Sequence, residues 1–200
     1  SGNKITLKTP ELAPGDKGYN EVKNYVKEKF DAFYNAIKSS SANLADYADV
    51  DSVTKIYLIN ELGKNWDSGV SSLYFTYKQD ENGNWKFYGS PVWDYDNSLG
   101  NAKGVEWDLG NIGVNDYEQY SGWWCKYKDK GKNSSSTNNV MNLISRNKNV
   151  IKAAPQVWFE DFVPALKTFM SSGVSEGEIY SSDVYYNYLK GSAEMNYKSG

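Results

Sequence analysis

The sequence predicts an α+β fold in which a small antiparallel hairpin packs on several helices. Three observations predict it. Two short runs dominated by aromatic and β-branched residues lie close together, Ser72-Leu73-Tyr74-Phe75-Thr76-Tyr77 and a second beginning Trp85-Lys86-Phe87-Tyr88. Between them Asp80-Glu81-Asn82-Gly83-Asn84 supplies a turn, with Asn-Gly suited to positive φ. On both sides, apolar residues recur at helical spacing. No internal repeat is evident, and 200 residues suffice for one domain with a sizeable core, so residues 1–200 are read as a single domain.

In chain order, residues 1–18 carry Pro10, Pro14, Gly15 and Gly18 and predict an irregular lead-in with a short strand at Ile5-Thr6-Leu7. A helix is expected from about Asn20, because Val22, Val26, Phe30, Phe33 and Ile37 form one stripe, and Ser39-Ser40-Ser41 ends it. Leu44 to Tyr47 predicts a short helical turn. A second helix starts at Asp49 or Asp51, runs through Val53, Ile56, Leu58, Ile59 and Leu62, and stops at Gly63. It delivers Asn65 and Asp67 to the mouth of the hairpin. After Gly100 a long polar stretch, holding Trp107, Trp123 and Trp124, extends to about Asn133 and predicts a functional or covering loop. Helix returns at Val140-Met141-Asn142-Leu143-Ile144, capped from Thr137-Asn138-Asn139. The next helix starts near Pro155 and carries Val157, Trp158, Phe162, Leu166, Phe169 and Met170; the last holds Ile179, Val184, Tyr185, Tyr188, Leu189 and Met195.

Composition narrows the chemistry. A formal charge of −3 offers no basic footprint, so nucleic acid is not an expected partner. Histidine is absent, which removes serine–histidine and cysteine–histidine catalysis and every histidine metal site. The single cysteine, Cys125, has no internal disulfide partner and is expected to be a buried small hydrophobe. No apolar run approaches the roughly 18 residues a membrane span needs. Ser1-Gly2 and Lys198-Ser199-Gly200 look like cut ends, so the chain is expected to be a piece of a longer one. Few Cys, no His and many Asn, Tyr, Lys and Gly fit a secreted bacterial protein, giving an extracellular or cell-surface expectation.

The acidic residues carry the chemical interest. A hairpin joins its own ends, so Asp67 is expected near Asp94 and Asp96, and three such carboxylates repel unless a cation lies between them. Hard oxygen ligands suit Mg²⁺ or Ca²⁺. An EF-hand loop starting at Asp94 fails on spacing, with Gly100 at the seventh position and Val105 at the twelfth, whereas a calcium site of another kind stays open. Asp94-x-Asp96-x-Ser98 also resembles the nucleophile loop of haloacid-dehalogenase-type phosphatases, but the downstream pair Glu160-Asp161 falls within a helical pattern.

A broader resemblance runs from about residue 49 to 170. Asp49-Val50-Asp51-Ser52-Val53 leads into Tyr57-Leu58-Ile59-Asn60-Glu61-Leu62. Asn65-Trp66-Asp67 and Ser72-Leu73-Tyr74-Phe75 follow, then Gly89-Ser90-Pro91-Val92-Trp93-Asp94-Tyr95-Asp96-Asn97-Ser98-Leu99-Gly100. With Leu143-Ile144-Ser145-Arg146 and Trp158-Phe159, these resemble the CotH family, the spore-coat atypical protein kinases and their secreted, cellulosome-associated bacterial relatives. The specific signal is N-x-D followed by P-x-W-D-x-D-x-x-x-G with a hairpin between them.

The resemblance implies the C-terminal lobe of an atypical protein kinase that binds ATP with Mg²⁺ or Mn²⁺, with Ca²⁺ as an alternative ion. It implies that Asp67 orients or deprotonates an acceptor hydroxyl, that Asn65 positions the loop, and that Asp94 and Asp96 hold the metal. The expected reaction is phosphoryl transfer to Ser or Thr hydroxyls of a protein substrate. A kinase also needs a phosphate-covering loop and a lysine on a preceding strand. Lys4 and Lys8 flank the one early strand without convincing context, so that lobe is expected upstream of Ser1 or absent. The alternative is a non-catalytic extracellular binding module. Its partner would be an assembly protein or a polysaccharide stacked on Trp107, Trp123 and Trp124. A third reading is a structural domain whose acids hold Ca²⁺ for stability alone.

Overall fold

The computed structural model describes residues 5–39, 41–65, 72–96, 98–99, 123, 125, 140–176 and 179–199. It is mostly helical with a two-stranded antiparallel sheet, an α+β protein. The chain divides into two compact units, Ser1–Ala154 and Pro155–Gly200.

In the first unit, helix α1 (Tyr19–Lys38) begins within a residue of the sequence expectation and ends at Ser39. Glu21 in its first turn and Lys38 in its last complement the helix dipole. Its C-terminal half carries the buried residues Phe30, Phe33, Tyr34, Ala36 and Ile37. A 3₁₀ turn (Leu44–Asp46) leads into helix α2 (Val50–Gly63). Of the two cap candidates, Asp49 does the work: its carboxylate accepts the Ser52 N–H at 2.8 Å.

Strands β1 (Phe75–Gln79) and β2 (Trp85–Gly89) form the expected hairpin, with Tyr77 opposite Phe87. The first strand lies three residues later than its composition suggests, because pairing ends where Gly89 meets Phe75. At the turn, Asp80 Oδ1 accepts the N–H groups of Asn82 (2.9 Å) and Asn84 (2.8 Å), and Oδ2 accepts the Lys86 ammonium at 2.9 Å. Gly83 supplies the positive φ, 81°.

Alternation along the strands turns Phe75, Tyr77 and Phe87 to one face. There Phe33 of α1 stacks on Phe87 with ring centroids 4.8 Å apart and meets Phe75 at 5.2 Å. Residues 47–49 pair with β2: Phe87 N–H donates to Tyr47 O and Asp49 N–H to Phe87 O, both at 2.9 Å. β2 also lies against the first turn of α2 at Gly89, where a Cβ would fall 2.6 Å from the Ser52 carbonyl oxygen.

Helix α3 (Val140–Arg146) packs on both α1 and α2. Asn147 then joins two helix ends. Its Nδ2 donates to Ile37 O at 3.0 Å, at the end of α1, and its Oδ1 accepts Asn149 N–H at 2.9 Å in the first turn of α4 (Lys148–Val157).

Pro155 lies inside α4, not near the start of the following helix, and that helix is interrupted. Trp158–Phe162 form a π turn in which Val163 N–H donates to Trp158 O, before α5 (Val163–Met170). In the second unit a two-residue ribbon, β3 (Ser175–Glu176) with β4 (Ile179–Tyr180), precedes α6 (Ser182–Ser199). Ile179 therefore sits in a strand, not in the last helix as its spacing implied. Asp183 ties this region, its carboxylate accepting Gly173 N–H at 2.9 Å, Ser172 Oγ at 2.8 Å and Val184 N–H at 2.9 Å. Among the described residues, no helix is long and apolar enough to cross a membrane.

Candidate functional site

The site starts from the C-terminal end of α2. Gly63 is its last residue, and the left-handed cap position falls on Lys64, φ 50°. Asn60 and Asn65 are both 2 % exposed and hold this end together. Asn60 Nδ2 donates to Ile56 O at 2.7 Å; Asn65 Nδ2 donates to Asn60 Oδ1 at 3.1 Å, and Asn65 N–H to Asn60 O at 3.2 Å. Two buried amides thus satisfy each other where a polar group without partners would be costly.

The loop after β2 docks on this end. Leu99 N–H donates to Gly63 O at 2.6 Å, and Ser98 Oγ donates to Tyr95 O at 2.6 Å. The Tyr95 ring reaches within 3.6 Å of where a Gly63 Cβ would stand. Its hydroxyl is buried with no hydrogen-bond partner among the described residues. Burial pushes that hydroxyl up to about 12, against a smaller downward pull from the neighbouring Asn65 side chain. Asp94 and Asp96, on either side of Tyr95, are exposed. Asp94 adopts φ 60°, and its Oδ2 accepts the Ser72 hydroxyl at 3.0 Å; Ser72 itself has φ 54°. Left-handed backbone at non-glycine residues is held only where surrounding contacts enforce it. Trp93 beside them is 64 % exposed and meets Tyr74 edge-on at 6.4 Å.

Of the residues singled out from sequence, Asn65 is thus placed against the loop that carries Asp94 and Asp96. Asp67, Trp107 and Trp124 lie outside the described residues. Trp123 is half-exposed, its ring stacked on Tyr57 at 6.5 Å and 16°. Among the described residues, no group of three or more His, Cys, Asp or Glu side chains is gathered.

A buried polar cluster escaped the sequence reading. Glu61, 6 % exposed, accepts Cys125 N–H at 3.0 Å, and Asn142 Nδ2 donates to Cys125 O at 3.1 Å. Both backbone groups of Cys125 are thereby satisfied by side chains of α2 and α3. Burial, reinforced by the Glu61 carboxylate, raises the Tyr57 hydroxyl well above its ordinary value. Arg146 in turn donates to the Asn142 side chain. The available signal was spacing: Glu61 follows Tyr57 by four residues and so shares its helix face. Cys125 is buried as expected.

A family model described as CotH kinase protein matches residues 4–151. The chain belongs to the CotH kinase family and is a CotH-like, kinase-related protein. No curated protein and no solved structure matches it.

Proposed function

We propose that the protein performs metal-dependent phosphoryl transfer from ATP to Ser or Thr hydroxyls. The supporting observation is the docking of the Asp94–Leu99 loop on the Gly63–Asn65 end of α2, within the stretch the family model matches. Asp94 and Asp96 present exposed hard oxygens. Mg²⁺ in phosphotransfer sites is commonly held by one or two carboxylates together with substrate phosphates, so this donor set fits Mg²⁺ or Mn²⁺. Bound there, the ion would supply charge neutralisation on phosphate oxygens. Asp94 and Asp96 would hold it, with the Ser72 hydroxyl orienting the Asp94 carboxylate. Asn65, held by Asn60 at the helix end beside Tyr95, would position the loop. Asp67, by family resemblance, would orient or deprotonate the acceptor hydroxyl.

Calorimetry of ATP with Mg²⁺ or Mn²⁺ tests this reading. Saturable binding is expected, weakened at least about tenfold, or about 1.4 kcal/mol, by Asp94→Asn. Heat-silent titrations with both ions would overturn it.

The half-exposed Trp123 over Tyr57 favours a second reading, a non-catalytic module that stacks a sugar ring. A glycan array comparing wild type with Trp123→Ala separates the two, since polysaccharide binding lost in the variant supports the module.

A further inference from the structure

We propose that Tyr95 is the positioning residue of the acid loop, its ring clamping the loop to helix α2 so that Asp94 and Asp96 face outward together. The role assigned to the two acids rests on the phosphotransfer reading; the clamp itself rests on contacts.

Tyr95 lies between two exposed aspartates and is the residue of the three that turns inward. Its ring covers Gly63, its carbonyl accepts the Ser98 hydroxyl, and four residues later Leu99 N–H returns to the Gly63 carbonyl. The loop is therefore tied to one residue of α2 by both a ring and a backbone hydrogen bond. Asp94 and Leu99 of the loop hold left-handed backbone, φ 60° and 54°, so it would relax elsewhere if the ties were cut. Asn65, bonded to Asn60, stands beside the Tyr95 hydroxyl, so the helix end and the loop meet at this ring. The hydroxyl has no partner among the described residues, which assigns the clamping to the ring. The inward ring anchors the loop between the two exposed acids, and the Ser72 hydroxyl holds the Asp94 carboxylate from the other side.

The test compares wild type, Tyr95→Ala and Tyr95→Phe by amide hydrogen exchange and by Mg²⁺·ATP calorimetry. Tyr95→Ala is expected to speed exchange at the Leu99 amide at least about tenfold, leave the Phe87 amide in the hairpin within about twofold, and weaken Mg²⁺·ATP at least about tenfold. Tyr95→Phe is expected to restore both to within about twofold of wild type. Equal acceleration at Leu99 and Phe87 would mean general destabilisation and would overturn the clamp. So would undiminished nucleotide affinity in Tyr95→Ala, or Tyr95→Phe behaving like Tyr95→Ala. Wild type failing to bind Mg²⁺·ATP defeats the phosphotransfer reading, and the exchange arm then decides the clamp alone: selective loss at Leu99 supports it, unchanged protection overturns it.

Discussion

The two units of this chain carry similar apolar helical patterns and use them differently. In Ser1–Ala154, the stripe of α1 meets the hairpin and α3, and Phe33, Leu44, Val53, Met141, Ile144 and Val150 are essentially without solvent contact. In Pro155–Gly200, Val157 and Ser181 are the buried residues among the described side chains, while Phe159, Phe169, Met170, Tyr186, Tyr188 and Leu189 stay exposed. Helical spacing of apolar residues specifies a helix with an apolar face. A core requires a second apolar face of matching shape opposite it, and so short a unit offers little such surface.

The sharpest way to break this comparison is to truncate one aromatic in each unit. Phe33→Ala removes the ring stacked on Phe87 and should cost about 3–5 kcal/mol in a guanidinium titration followed by circular dichroism. Tyr188→Ala, at a residue 84 % exposed, should stay within about 0.5 kcal/mol. Comparable losses would mean the second unit's aromatic surface is structural.

A smaller effect is expected at the polar cluster of the first unit. Glu61→Ala would leave the buried Cys125 N–H without its acceptor and should cost about 1–3 kcal/mol in the same titration. Glu61→Gln keeps an acceptor oxygen and should cost less. Equal losses would show that charge matters more than the hydrogen bond.

The smallest effect compares the two turns that an aspartate organises. The Lys86 ammonium and the turn amides hold Asp80 down to about 2, and the Ser181 and Ser172 hydroxyls with nearby backbone N–H groups do the same for Asp183. A carboxylate lowered in the folded state contributes stability that is fully present above its ordinary value. That stability is lost as pH falls through about 2. Between pH 4 and pH 2 the wild-type melting temperature should therefore fall more steeply than that of Asp80→Ala or Asp183→Ala. Identical slopes would remove the aspartates from the acid response.

Much of the fold was legible because its signals are local. The stripe Phe30-x-x-Phe33-x-x-x-Ile37, the Asp49 cap and the Asn82-Gly83 turn each act within a few residues, and each lies where the sequence placed it. At the candidate site, the motif named Asn65, Asp94 and Asp96 as residues, but the Tyr95 ring, the Gly63 carbonyl and the Asn60–Asn65 pair are contacts across 30 or more residues, or inside a buried helix end, that no local pattern announces. Pro155 was misplaced because proline usually starts a helix, whereas here it lies in the interior of α4.

By itself, then, the sequence determined helices α1 to α3, the hairpin, the turn chemistry and the family, since propensity, capping and motif spacing are properties of neighbouring residues. Tertiary structure alone decided which apolar faces found partners, where strand pairing ends, and which polar side chains went inside. Glu61, Asn142 and Asn147 look like ordinary surface residues until the packing of α1, α2 and α3 surrounds them. Burial makes their hydrogen bonds obligatory, and burial belongs to the assembled chain.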